Sequence, residues 1–241
     1  MSEVYFAGPS GRIEGRYHQN ENQSAPVALV LHPHPLHGGT MNNKVSYHLF
    51  KTFVRTGFTV LRINFPGVGK SEGSFTNGVS ELNSASTALD WLQNNNPEAS
   101  HFWIGGFSFG AWVAMHIATR RPEIEGFVMI SPPADHYDFA FSMPCPSNGL
   151  VIAGEKDTIA TVDKISALVD EWRQQKNYVI DYNIVADAEH FYVQQLDVMD
   201  QTCEEYINTN LAMRVIKPIR KKRRKRKKRD KKYDEVEGSW E

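Results

Sequence analysis

The sequence predicts an α/β fold: a doubly wound, mostly parallel sheet with helices on both faces and little or no cap domain. Three observations carry this. Short continuous apolar runs, such as Val27-Ala-Leu-Val-Leu31 and Gly126-Phe-Val-Met-Ile130, mark strands buried on both faces. Longer segments with apolar residues at helical spacing separate those runs. Strand and helix then alternate along most of the chain, the pattern of a parallel sheet covered on two sides.

Composition sets the limits. With 241 residues there is room for one domain with a full core, and 41% apolar with 11% aromatic residues describes a globular chain. No apolar run reaches the roughly 18 residues of a membrane helix. The stretch Met1 to Pro9 has no basic region followed by apolar residues, so no secretory signal is expected. Cys145 and Cys203 offer no disulfide framework, and a cytoplasmic, reducing setting fits. The net charge of −1 conceals an asymmetry. Residues 1–213 carry 13 Lys and Arg against 23 Asp and Glu, whereas residues 214–241 carry 14 against 5. The expected organisation is an acidic α/β domain over 1–212 and a basic, disordered tail over 213–241.

Along the chain, Val4 to Phe6 and Arg12 to Tyr17 read as short edge strands around the turn Gly8-Pro9-Ser10-Gly11. Asn20 to Pro26 is a loop, and Val27 to Leu31 is a buried strand. A loop rich in His, Pro and Gly follows from His32 to Thr40. Val45, Leu49, Phe50, Phe53 and Val54 give a helix over Asn43 to Thr56, stopped by Gly57. Phe58 to Ile63 is the next strand, and Val79 to Leu92 the next helix. His101 to Ile104 is a short apolar strand, and Ala111 to Thr119 a helix with little to break it. Gly126 to Ile130 is a strand. Residues 134–148, with aromatics and two prolines, fit no regular element and read either as a short lid or as a surface connector. Leu150 to Ala153 (strand), Val162 to Gln174 (helix), Tyr178 to Asn183 (strand) and Val193 to Leu211 (helix) complete the pattern.

Between the strand at 101–104 and the helix from 111 stands Gly106-Phe-Ser108-Phe-Gly110. G-x-S-x-G on a strand–turn–helix junction is a nucleophile elbow, and glycine on each side allows the backbones to approach. In a parallel sheet, chemistry gathers at the carboxyl ends of the strands. The strand ending at Ala153 delivers Gly154-Glu-Lys-Asp157, and the last strand delivers Ala188-Glu-His190. A serine hydroxyl needs a base to take its proton and a carboxylate to orient that base. His190 is the only histidine after residue 136, and Asp157 is the preferred acid, with Asp135 and Glu155 as alternatives. The order Ser, Asp, His is that of α/β-hydrolases. An oxyanion hole would take the Phe109 N–H and one N–H from the loop after the first buried strand. Pro33 and Pro35 have none to give. His34 is preferred, ahead of Leu36 and His37. Phe107, Phe109, Trp112 and the aromatics of 137–141 suggest either an apolar substrate group or core packing.

Three stretches together, His32-Pro-His-Pro-Leu-His-Gly-Gly-Thr-Met, Arg62-Ile-Asn-Phe-Pro-Gly-Val-Gly-Lys-Ser-Glu-Gly and Gly-Phe-Ser-Phe-Gly, resemble a family of small bacterial α/β-hydrolases. That family is grouped with dienelactone-hydrolase-like and serine-aminopeptidase-like enzymes. The resemblance spans about residues 1–212 and excludes the basic tail. It implies a Ser108–Asp157–His190 triad and hydrolysis of an ester, thioester or amide; a small-molecule substrate is expected, with no cofactor or metal. Homodimers are common among such hydrolases.

Other readings compete. His32-x-His34-x-Leu36-His37 has the spacing of a zinc signature but carries leucine where that signature has aspartate. Gly67-Val-Gly-Lys-Ser71 ends like a P-loop, yet Asn64 stands where glycine is required. Cys145 lies between prolines with no base in view. Arg220 to Arg229 is an unbroken run of basic residues, followed by Lys231 and Lys232. Region 220–232 therefore suits non-specific contact with nucleic acid or an anionic membrane, or with the acidic body. No aromatic interrupts it, so base stacking is not supported. The alternative function is an inactive hydrolase-fold scaffold tethered through this tail.

Overall fold

A computed structural model of the chain describes residues 1–175 and 177–216, with side chains placed as far as residue 211. The basic region 220–232 lies outside the described residues. A hairpin opens the chain, β1 (Ser2–Gly8) and β2 (Gly11–His18), turning at Gly11 with φ +109°. Six strands follow: β3 (Val27–Leu31), β4 (Thr59–Ile63), β5 (Phe102–Phe107), β6 (Ile124–Ile130), β7 (Asn148–Gly154) and β8 (Ile180–Val185). The helices are α1 (Lys44–Arg55), α2 (Val79–Asn95), α3 (Phe109–Arg120), α4 (Val162–Arg173) and α5 (Leu196–Ile216). All eight strands form one sheet in the order β1-β2-β4-β3-β5-β6-β7-β8. Pairing is antiparallel at β1–β2 and β2–β4 and parallel from β4 to β8.

The continuous apolar strands are explained by two separate cores. Val27, Leu29 and Leu31 of β3 face a core with Leu89, Leu92, Ile117 and Trp172 from α2, α3 and α4. Ala28 and Val30 face the other, with Leu49 and Phe53 of α1 and Met199 and Ile207 of α5. A strand with both faces covered cannot alternate apolar with polar residues. No helix among the described residues is long and apolar enough to cross a membrane.

Three boundaries differ from the expectations. β5 runs on through Gly105 and Gly106 to Phe107, and α3 starts at Phe109, so Ser108 alone makes the junction. β8 begins two residues later than expected. The Val179 N–H is taken by the Asn148 side chain, so Tyr178 and Val179 lead into the strand, while Ile184 and Val185 pair with Ala153 and Gly154. The last helix starts at Leu196, after a turn in which Gln195 N–H bonds Tyr192 C=O, and it passes residue 212 to end at Ile216.

Residues 134–148 form a connector on the α3 face. Trp112 Nε1 donates to the Asp138 carbonyl, Phe139 is buried, and the Phe141 ring stacks on His116. The segment contributes nothing to the lining of the cleft at Ser108.

Candidate active site

The site is assembled at the carboxyl ends of β3, β5, β7 and β8. Ser108 has φ 54° and ψ −123°, a conformation unfavourable for any residue with a Cβ and costing about 1–3 kcal/mol. The surroundings hold it there. Its N–H donates to Ile130 C=O at 2.9 Å, and its own carbonyl accepts from Ala111 at the start of α3. Both motif glycines answer to backbone contacts. A Cβ on Gly106 would lie 2.2 Å from Gly110 O, and one on Gly110 would lie 2.4 Å from Leu31 O and 2.5 Å from His32 O. Gly110 thus lets the first turn of α3 press against the end of β3.

His190 bridges the other two residues. Its Nε2 is 3.0 Å from Ser108 Oγ and its Nδ1 is 2.7 Å from Asp157 Oδ2. All three are buried. The other oxygen of Asp157 accepts the N–H groups of Ile159 and Ala160, each at 2.8 Å. Burial alone pushes the Asp157 carboxyl up, but the bond from His190 and those from the Ala160 and Ile159 amides leave it below its ordinary value. The alternative acids are occupied elsewhere. Asp135 accepts from Thr161 at the start of α4, and Glu155 accepts the Asp187 N–H. Burial raises the Cys145 thiol to about 11, which makes it an inert thiol.

In the loop after β3, the Leu36 N–H donates to His34 Nδ1 and the His37 N–H to His34 C=O. The N–H groups of His34 and Phe109 have no protein acceptor among the described residues. His34 and His37 stack with centroids 4.4 Å apart. His32 is fully used: Nδ1 donates to Pro33 C=O and Nε2 accepts the Phe65 N–H at 2.9 Å. It ties the loop to the end of β4 and has no nitrogen left for a metal.

Arg62 of β4 and Asn64 just past its end secure the far end of the same loop, a role that sequence reasoning missed. Arg62 Nη1 donates to Met41 C=O and Asn64 Oδ1 accepts Met41 N–H, so both backbone groups of one residue are held. Asn64 is itself fixed by Glu14 Oε2. The signal was an arginine in an otherwise apolar strand and an asparagine just past its end, where burial demands partners.

Burial pushes the His32 pKa from 6.5 down to about 3, against the opposing pull of its Pro33 bond. The unfolded chain therefore binds a proton near pH 6.5 that the folded chain refuses until about pH 3. Stability from this group is complete above pH 6.5 and falls as pH drops below it, by up to about 1.4 kcal/mol per unit. Urea melts between pH 7 and pH 5 should lose less stability in His32→Gln than in wild type. Equal losses would show that His32 does not carry the effect.

A strand–serine–helix junction in a sheet of this order places the molecule among the α/β serine hydrolases. The chain belongs to the X-Pro dipeptidyl-peptidase (S15) family, whose model matches residues 18–229. It is 49% identical over 213 residues to an uncharacterized protein of Rickettsia prowazekii, covering 87% of this chain and 90% of that one. Among solved structures it resembles a candidate α/β hydrolase of unknown function from Agrobacterium tumefaciens, with 45% identity, TM-score 0.86, and 88% and 97% of the two chains covered. It also resembles an α/β serine hydrolase without lid from Xanthomonas campestris, with 28% identity, TM-score 0.78, and 86% and 94% covered.

Proposed function

We propose that the protein cleaves a small ester, thioester or amide through an acyl-enzyme on Ser108. The observation that carries this is the His190 ring spanning Ser108 Oγ at 3.0 Å and Asp157 Oδ2 at 2.7 Å. As Oγ attacks the carbonyl carbon, His190 Nε2 takes its proton. The bond to the leaving group then breaks and that proton passes to the leaving atom. Water repeats the sequence on the acyl-enzyme, releasing the acid and restoring Ser108. Asp157 fixes the imidazole and stabilises its charged form. The N–H groups of His34 and Phe109 receive the developing oxyanion. Two observations support that pair: neither has a protein acceptor, and Leu36 and His37 spend theirs inside the loop.

Dipeptidyl-peptidase chemistry calls for an acidic partner for the substrate's free amine. The described residues lining the cleft are Pro33, His34, His37, Gly39, Asn43, Ser108, Ile159, His190 and Phe191, and none is acidic. This favours a neutral acyl group, and hence carboxylesterase-like activity. The test is a panel of p-nitrophenyl esters beside Gly-Pro p-nitroanilide, with a fluorophosphonate probe for the serine. Short esters should exceed the anilide by about 100-fold, the size of one missing charge-assisted hydrogen bond. An anilide preference would refute the ester reading, and failure of folded protein to take the probe would refute the acyl-enzyme.

The tail is proposed to lie outside the catalytic unit. Deleting residues 218–241 should leave ester turnover within about twofold of wild type, and a large loss in a folded protein would refute this.

A further inference from the structure

We propose that the exposed apolar surface beside His190 binds the leaving group, so that the preferred substrate is an ester of a short acid with an apolar alcohol. This rests on the acyl-enzyme reading above. The cleft reaching Ser108 holds only about 90 Å³. A water takes roughly 30 Å³ of liquid, and pockets that bury most of a drug-sized ligand hold about 300–1,000 Å³. The enclosed space therefore accepts an acyl group of a few heavy atoms, and the rest of the substrate lies outside.

Reaction geometry decides where it lies. The proton that His190 takes from Ser108 is delivered to the leaving oxygen, so that oxygen must come to Nε2. The alcohol it carries then passes over the residues flanking the histidine and the acid. These are Phe191, 46% exposed with its ring 5.2 Å from that of His190, and Ile159, 41% exposed with its N–H on Asp157. Both line the cleft. Phe191 also meets Phe107 in a T-shaped contact at 5.9 Å, which supports its ring from the core side. The remaining wall, Pro33, His34, His37, Gly39 and Asn43, is mostly polar and belongs to or follows the loop after β3. Exposed apolar side chains scattered singly mean little, but two flanking one catalytic histidine on its leaving-group side form a binding surface.

Hexyl acetate and ethyl hexanoate test this with the full-length chain, because the two are isomers of equal apolar content. We expect kcat/KM for hexyl acetate to exceed that for ethyl hexanoate by about tenfold. From ethyl to butyl to hexyl acetate it should rise about twofold per methylene, half on a logarithmic scale of what complete burial gives. All acetates share one acetyl-enzyme, so the gain belongs to acylation. Ile159→Ser and Phe191→Ser should each pull the hexyl-to-ethyl acetate ratio toward one. Equal or reversed preference between the isomers, or a ratio unchanged in both variants, overturns the proposal. Fluorophosphonate labelling of the same preparations separates the two levels. Labelled Ser108 with no alcohol preference removes the leaving-group surface and keeps the acyl-enzyme, whereas unlabelled folded protein removes both.

Discussion

Replacing Ser108 by Ala is expected to lower kcat by about 10⁴–10⁶-fold and to abolish fluorophosphonate labelling, with the fold intact. The size follows from what is removed. On the proposed acyl-enzyme reading, loss of Oγ removes both the covalent intermediate and the group whose proton His190 takes. What remains is positioning and whatever stabilisation the Phe109 and His34 amides give to attack by water. Asp157→Asn should fall by a similar order, because the Ile159 and Ala160 amides keep the side-chain oxygen, the NH2 group faces His190 Nδ1, and the imidazole is held in the wrong tautomer.

A second measurement on the same residue asks whether its backbone is strained for the sake of chemistry. At φ 54° and ψ −123° alanine is as uncomfortable as serine, but glycine is not. Ser108→Gly should therefore melt higher than Ser108→Ala, by an amount equivalent to about 1 kcal/mol. Both variants are expected to be inactive, so the comparison isolates conformational cost from catalysis. If Ser108→Gly melts no higher, the elbow stores no strain.

Much of this site was legible in the sequence, for a physical reason. Parallel strands buried on both faces must be apolar throughout, so their ends stand out, and polar residues just past those ends gather at one rim. Ser108, Asp157 and His190 were each assigned from such a position, and the structure brings all three together. The hydroxyl, imidazole and carboxylate sit at hydrogen-bond distance although His190 is 82 residues from Ser108. Prolines 33 and 35 narrowed the loop amides to a few.

What was not legible depends on through-space pairing. Nothing in the order of residues says that His32 Nε2 accepts the Phe65 N–H, or that Arg62 and Asn64 grip Met41. Aromatic side chains were ambiguous in the same way. Phe107 and Phe109, one on each side of the serine, are fully buried and belong to the two cores. The apolar surface exposed at the cleft comes instead from Ile159 and Phe191, which no periodicity marks. Edge strand β8 was misplaced because its exposed residues carry no alternation strong enough to set a register.

Gly110→Ala offers the sharpest test of how the fold supports the chemistry. The added methyl would meet Leu31 O and His32 O at 2.4 and 2.5 Å, and these are backbone atoms at the end of a central strand that cannot turn aside. The start of α3 must instead retreat from the end of β3. Those two elements carry the Phe109 N–H and the loop holding the His34 N–H, so retreat spreads the two donors apart. Loss of one aligned oxyanion donor costs about 10²–10³-fold in kcat. The clash itself costs about 1–3 kcal/mol of stability. Gly57→Ala is the matched control, since Gly57 has φ +89° with nothing within 4 Å of a Cβ and lies at the far end of α1. It should lose about 1–2 kcal/mol from backbone strain alone and keep its turnover. Thermal melts and ester kinetics on the two variants then separate destabilisation from misalignment. If Gly110→Ala folds and retains full kcat, the contact between α3 and β3 does not set the oxyanion geometry, and the Phe109 amide loses its assignment. If kcat alone collapses while Gly57→Ala stays active at similar stability, glycine at 110 is required by the distance between two peptide groups rather than by the turn.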